Sequence, residues 1–141
     1  METSSLLRHQ WISSLLARQT DPVADSAVRW WNLMASQVIS IVGEEGFNSL
    51  YDRSVFLTRP GHPWLAADAP APPAGSRFAQ LKMNLQEQPP AQADAANTRL
   101  LITFTDILAS LIGEPLTARI LRTAWSHEVK DRSCKELNHE S

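Results

Sequence analysis

The sequence predicts an all-α fold, a single-domain bundle of five or six helices over residues 1–126 with a polar, frayed or disordered tail at 127–141. Three observations carry this. Apolar residues recur every three or four positions along most of the chain, the spacing that puts them on one face of a helix. Asp-Pro, Gly-Glu and Glu-Pro steps fall where those patterns begin and end. Finally, 141 residues at 43% hydrophobic and 20% charged can build one buried core, which argues against a wholly disordered chain.

The first helix is expected over about 4–19, with Leu7, Trp11 and Leu15 on one line and Ile12 and Leu16 beside it. Arg8, His9 and Gln10 interrupt the apolar run that a secretory signal needs, so the segment reads as an amphipathic helix rather than a targeting peptide. Asp21-Pro22 opens a second helix over about 22–43, Asp21 acting as a structural cap that accepts a free amide hydrogen and Pro22 standing at the first helical position. Its inward stripe is Val23, Ala27, Trp30 or Trp31, Met34, Val38, Ile41 and Val42. Adjacent tryptophans widen that arc, as expected of a central helix or of one that offers part of its face to another subunit. Gly43 and Gly46 bracket a stop, glycine adopting the left-handed C′ conformation without steric cost. A third helix follows over about 47–58, turning Phe47, Leu50, Tyr51 and Leu57 inward.

Seven of the nine prolines lie between Pro60 and Pro90, and the run from Pro70 to Gly75 cannot be helical, so 60–75 reads as a proline-rich loop. Trp64, in His62-Pro63-Trp64-Leu65, is expected to anchor that loop in a groove. A short helix over 76–88 carries Phe78, Leu81 and Leu85 on one face and ends at Pro89-Pro90. The strongest helical pattern runs over 95–112 and stops at Gly113; Glu114-Pro115 then opens a last helix over 115–127, with Leu116, Ile120, Leu121, Ala124 and Trp125 inward.

Two of these segments echo each other. At an offset of 70 residues Arg29 faces Arg99, Met34 faces Phe104 and Val38 faces Leu108, and Ser40-Ile41-Val42-Gly43-Glu44 faces Ser110-Leu111-Ile112-Gly113-Glu114. With one deletion after the turn, Phe47 then faces Leu116, Tyr51 faces Ile120 and Phe56 faces Trp125. A shared helical period explains the apolar matches by itself, but not the repeated Gly-Glu string at the same place relative to the stop. The expectation is a duplicated helix-turn-helix hairpin with the proline-rich segment as crossover. In each copy the glycine (Gly43, Gly113) and the glutamate (Glu44, Glu114) are structural caps of the helices they join.

No dinucleotide, phosphate-loop, zinc-protease or nucleophile-elbow pattern occurs, so no catalytic residue, cofactor or metal is assigned and the chain reads as non-enzymatic. His127 and Asp131 have ligand spacing but lack further partners. Cys134, the single cysteine, lies in a polar tail with no adjacent histidine or fixed basic group to stabilise a thiolate, and its solitude excludes an intramolecular disulfide and fits a cytoplasmic location. A net charge of −2 does not favour nucleic acid, and no apolar run approaches a transmembrane segment. Asp106 interrupts the strongest helix on a polar line with Arg99, Thr103 and Ser110, which reads as a solvated face; if buried, it needs a partner such as Arg29, Arg119 or Arg122.

Leu108 to Trp125, with Leu-Ile-Gly-Glu and Arg-Ile-Leu-Arg-Thr-Ala-Trp, and less closely Gly46 to Trp64, resemble an uncharacterised all-helical module of bacterial signalling proteins. The resemblance covers under half of the chain and implies a regulatory, partner-binding context with no site residues to carry over. The resulting expectation is an interaction module that binds a protein partner or itself as a homodimer, through a surface at Trp30, Trp31, Met34, Trp64 and Trp125. The alternative is a sensor that binds a small apolar ligand or peptide in a pocket lined by those tryptophans.

Overall fold

The structure, a computed structural model, describes residues 2–17, 22–65 and 78–125. Among them are five helices and no strand: α1 (Glu2–Ala17), α2 (Val23–Thr58), α3 (Ala79–Gln86), α4 (Pro90–Ile112) and α5 (114–125). α2 and α4 share the largest interface, α3 lies on α2 and touches α4, and the backbone of α1 approaches α4 but neither α2 nor α3. The all-α single-domain bundle expected from the periodicity is present.

The punctuation differs from the sequence reading in instructive ways. Pro22 is itself the N-cap of α2, its carbonyl accepting the Ser26 amide at 3.0 Å, and Asp21 lies outside the described residues. α4 starts at Pro90, not Ala95, because a proline at the first helical position gives up an amide hydrogen that has no partner there anyway. Gly43 does not begin a loop. It is a single non-helical residue within α2, and 44–46 are already helical.

Gly43 (φ 85°, ψ 166°) and Gly113 (φ 97°, ψ 151°) are the only described residues with positive φ. Their ψ values place them outside the left-handed helical region expected for a C′ glycine, in a region essentially restricted to glycine. Each breaks the helix for one residue and lets the next begin at once. At the second break the Gly113 amide donates to the Ala109 carbonyl at 2.8 Å, and the Gly113 carbonyl accepts the Thr117 amide at 3.1 Å and its hydroxyl at 2.9 Å. One glycine therefore closes α4 and opens α5.

The core holds two aromatic groups. Trp31 meets Tyr51, Phe104 and Phe78 at centroid distances of 5.2, 5.3 and 5.7 Å, and Phe47 meets Phe104 at 5.3 Å, so this group joins both arms of α2 to α3's entry and to α4. Trp125 stacks on Trp11 at 5.7 Å and meets Trp30 edge-on at 4.7 Å, joining α5 to α1 and α2. Two of the three core indole N–H groups are satisfied: Trp31 donates to Asn97 Oδ1 at 2.9 Å and Trp125 to the Trp30 carbonyl at 3.0 Å. Trp30 Nε1 is buried with no hydrogen-bond partner.

Several inward assignments shift by one position. Leu7, Ile41, Leu57 and Leu116 are exposed, whereas Arg8, Thr58 and Thr117 are buried. Leu65 rather than Trp64 is the deep anchor after α2: Leu65 is 2% exposed, while Trp64 is only partly buried against the core. Burial also shows that the register between the two hairpins has no deletion. At a constant offset of 70, Phe47, Leu50, Ser54 and Val55 correspond to Thr117, Ile120, Ala124 and Trp125, and all eight are buried. The gapped alignment would pair buried Phe47 with Leu116 and Phe56, 62% exposed, with Trp125, 0% exposed.

α4 is long and apolar enough to cross a membrane by length and composition alone, although polar residues interrupt it and no unbroken apolar run spans it. A helix at the centre of a bundle passes the same test, and Leu100, Leu101, Phe104 and Leu108 are all buried within the core.

Candidate functional site

The tryptophan surface expected from the sequence is the interior of the protein. Trp30, Trp31, Met34 and Trp125 are 1% exposed or less, because the α2 arc is wide enough to meet both aromatic groups at once. Only Trp64 of that set reaches solvent, edge-on to His62 at 5.8 Å. The rings pack against one another, which uses as core contact the faces that a partner or apolar ligand would have covered.

Polar chemistry gathers instead where α1 crosses the junction of α4 and α5. Arg8 stands one turn before Ile12 on the inner face of α1, and its side chain is 3% exposed. All three of its nitrogens donate hydrogen bonds. Nε donates to Glu114 Oε2 at 2.7 Å, Nη1 to Thr105 Oγ1 at 2.7 Å, and Nη2 to Asp106 Oδ1 at 2.8 Å and Glu114 Oε1 at 3.2 Å. His9 Nε2 meets the same Asp106 oxygen at 2.7 Å.

Burial by itself pushes the Arg8 pKa down, but the hydrogen bonds and charges of Glu114 and Asp106 outweigh it and hold the guanidinium above its usual value. The glutamate clamp uses the planar donor fork of arginine, which lysine lacks. The acceptors are less deeply set, with the Glu114 and Asp106 side chains 20% and 45% exposed. A buried cation thus faces carboxylates that keep a water-exposed side. The arrangement fixes where α1 sits more than it adds stability, since burying a charge offsets much of the attraction it gains.

Three residues of the sequence reading meet at this site. Glu114 is the first residue of α5, and its carboxylate accepts from Arg8. Asp106 is exposed, as a solvated face has it, and also forms an ion pair, with Arg8 and His9 rather than Arg29, Arg119 or Arg122. Arg8, taken from the sequence only as an interruption, is the centre of the cluster; the available signal was its position one helical turn before Ile12. Glu44, the counterpart of Glu114, is exposed.

Around the same junction stand large apolar side chains that the core does not use. Leu6 and Leu7, beside Arg8, are 58% and 61% exposed, and Leu111 and Leu116, flanking Gly113, are 64% and 37% exposed. The Arg8–Glu114 pair joins the two sequence-distant segments that carry them. Phe56, Leu57 and Met83 are also exposed.

Two other titratable groups are perturbed. Burial, with the Asp52 charge adding to it, pushes the Tyr51 phenol well above its ordinary value, as expected among Trp31, Phe47 and Phe78. Burial also raises Asp94. Among the described residues no group of three or more His, Cys, Asp or Glu is arranged to hold a metal ion. His127, Asp131, Cys134 and the rest of the 127–141 tail lie outside the described residues.

No family model matches the chain, and no curated protein or solved structure matches it.

Proposed function

We propose that this chain is a non-enzymatic helical interaction module of bacterial regulation, cytoplasmic, whose partner is a second copy of itself in a homodimer. The observation that carries this is that Leu6 and Leu7 on α1, and Leu111 and Leu116 on either side of Gly113, are exposed on the segments that the Arg8–Glu114 pair joins. Isolated exposed leucines are ordinary, but two exposed pairs lie on the two segments that the Arg8–Glu114 ion pair joins, with His9 and Asp106 paired beside them, the mix of apolar and polar residues that an interface draws on.

Light scattering on a size-exclusion column tests the reading. The expected outcome is a concentration-dependent rise from monomer to dimer mass in the micromolar range. Leu7→Ser with Leu111→Ser is expected to weaken the dimer about tenfold or more, the equivalent of 1.4 kcal/mol, while far-ultraviolet circular dichroism is unchanged. A chain of monomer mass at every accessible concentration would overturn self-association.

A further inference from the structure

We infer that the chain is a fused pair of equivalent three-helix units, 2–58 and 79–125, that bind each other by exchanging their leading helices, so that the partner surface of each unit is filled by the other. This concerns the inside of one chain and is independent of whether whole chains pair. The repeat reaches beyond the hairpins. At the offset of 70 the whole of α3, Ala79–Gln86, falls on 9–16 within α1. Gln10 and Gln80 are identical there, as are Leu15 and Leu85. Arg8 and Leu15 on α1 are buried, and so are their counterparts Phe78 and Leu85. Between them the buried edge differs, with Ile12 and Leu16 on α1 against Leu81 and Asn84 on α3. Each unit is then a leading helix, a long helix, a glycine of positive φ and a closing helix, in the same order.

The leading helices dock crosswise. α1 precedes α2 in the chain, yet its backbone approaches α4 and not α2, and its Arg8 and Trp11 meet Thr105, Asp106, Glu114 and Trp125. α3 precedes α4 and touches it, but shares its larger interface with α2. Phe78, the N-cap residue of α3, meets Trp31, Tyr51 and Phe47 at 5.7, 5.5 and 6.1 Å, and Lys82 pairs with Asp25 at 3.3 Å. Each leading helix thereby reaches both arms of the opposite hairpin. Thr105 and Glu114 lie on either side of Gly113, as Trp31 and Phe47 lie on either side of Gly43. Mutual donation of one element between like units is the geometry of a domain-swapped dimer, made here within a single chain.

Chemistry assigns each leading helix to its site. The counterpart positions 8 and 78 hold a guanidinium and a phenyl ring, and each suits the hairpin it reaches. Among Trp31, Tyr51 and Phe47 the Arg8 charge would meet aromatic rings in place of its paired carboxylates, at the cost of burying a charge without its partners. At Thr105, Asp106 and Glu114 the Phe78 ring would face acceptors to which it has nothing to donate. Two identical units would have no use for this difference, whereas two units joined in one chain need it to keep α1 from the site on α2 and α3 from the site on α4. The partner that each hairpin recognises is thus a helix led by Arg-x-x-Trp at the Gly113 hairpin and by Phe-x-x-Leu at the Gly43 hairpin.

A protease recognition sequence inserted between Ala71 and Pro72 of the full chain, cut after folding, tests this. The two pieces are expected to stay together in equal numbers by native mass spectrometry at micromolar concentration, with helical circular dichroism retained. With a fluorophore on one piece, a dilution series then reads their affinity. Arg8→Ala on the first piece and Phe78→Ala on the second are each expected to weaken it about tenfold or more, because each leading helix grips the opposite piece. If Phe78→Ala unfolds the intact chain, Phe78→Leu takes its place and is expected to weaken the pair in the same direction. Pieces that part at micromolar concentration overturn mutual recognition. An affinity untouched by both substitutions, or changed by one of them alone, overturns the exchange of leading helices.

Discussion

The two hairpins, 25–55 and 95–125, are alike in their interiors and different at their corners. Each residue buried in the α2 hairpin has a buried counterpart 70 positions on, from Ser26 and Ala96 through Trp30 and Leu100 to Val55 and Trp125. Even the terminal serines agree, Ser40 donating to the Gln37 carbonyl at 2.7 Å and Ser110 to the Ile107 carbonyl at 2.6 Å. The corners diverge because Thr105, Asp106 and Glu114 receive Arg8, whereas Ala35 and Ser36 cannot receive it in the same way. Burial pattern is set by helical period and by a glycine of fixed conformation, and two such segments can share it with few residues in common. Recognition at the corner depends on two or three polar side chains.

The comparison is broken most severely at its end. Trp125→Ala is expected to cost about 3–5 kcal/mol, because it empties a fully buried site and removes the ring stacked on Trp11. Its counterpart Val55→Ala removes two methyl groups and is expected to cost roughly 2 kcal/mol. Urea denaturation followed by circular dichroism measures both, and equal losses would contradict the pairing of Val55 with Trp125.

At the corners, Arg8→Ala is expected to cost about 2–3 kcal/mol, since it leaves Thr105, Asp106 and Glu114 without their shared donor. The partial exposure of both carboxylates keeps the loss below that of a fully buried pair. Ser36→Ala, at the position equivalent to Asp106, is expected to change stability by less than about 0.5 kcal/mol. Hydrogen exchange should find the Arg8→Ala loss concentrated in α1, with α2 and α4 amides less affected.

The glycines sharpen the likeness. An added Cβ meets nothing within 4 Å at Gly43 and only Pro115 Cδ at 3.9 Å at Gly113, so the cost of alanine is conformational rather than steric crowding. Gly43→Ala and Gly113→Ala are each expected to lose about 1–3 kcal/mol, and by similar amounts, in thermal or chemical denaturation. A large loss at one and none at the other would separate the two turns.

The smallest expected effect is at Asp94, whose counterpart is Ala24. Because burial raises the Asp94 pKa above the ordinary 3.8, the folded state holds the proton more tightly than the unfolded one. Its carboxylate therefore detracts from stability at neutral pH, and this penalty fades as pH falls through the raised value toward 3.8. Asp94→Asn is expected to gain at most about 0.5 kcal/mol at pH 7. The advantage should vanish below the ordinary carboxylate range when the denaturation midpoints of the two proteins are compared across pH.

Helical class, the approximate extent of each helix, the break at each glycine and most of the core were legible in the sequence, because they follow from period and local conformational preference. Trp30, Trp31, Met34, Phe104 and Leu108 fall on inward stripes whatever packs against them, and Gly113 with Glu114-Pro115 marks a helix end and start without help from distant residues. Tertiary structure decided which edge of each stripe is covered. Period fixes the angle between Leu7 and Arg8 but not which of them faces a neighbour, and Arg8 lies inside only because acceptors 97 to 106 residues away are brought to it. The same holds for Asp106 and Glu114, whose roles depend on a helix that docks from the other end of the chain. A buried charge is tolerated only where its partners converge, and that convergence is a property of the assembled bundle rather than of any local stretch of sequence.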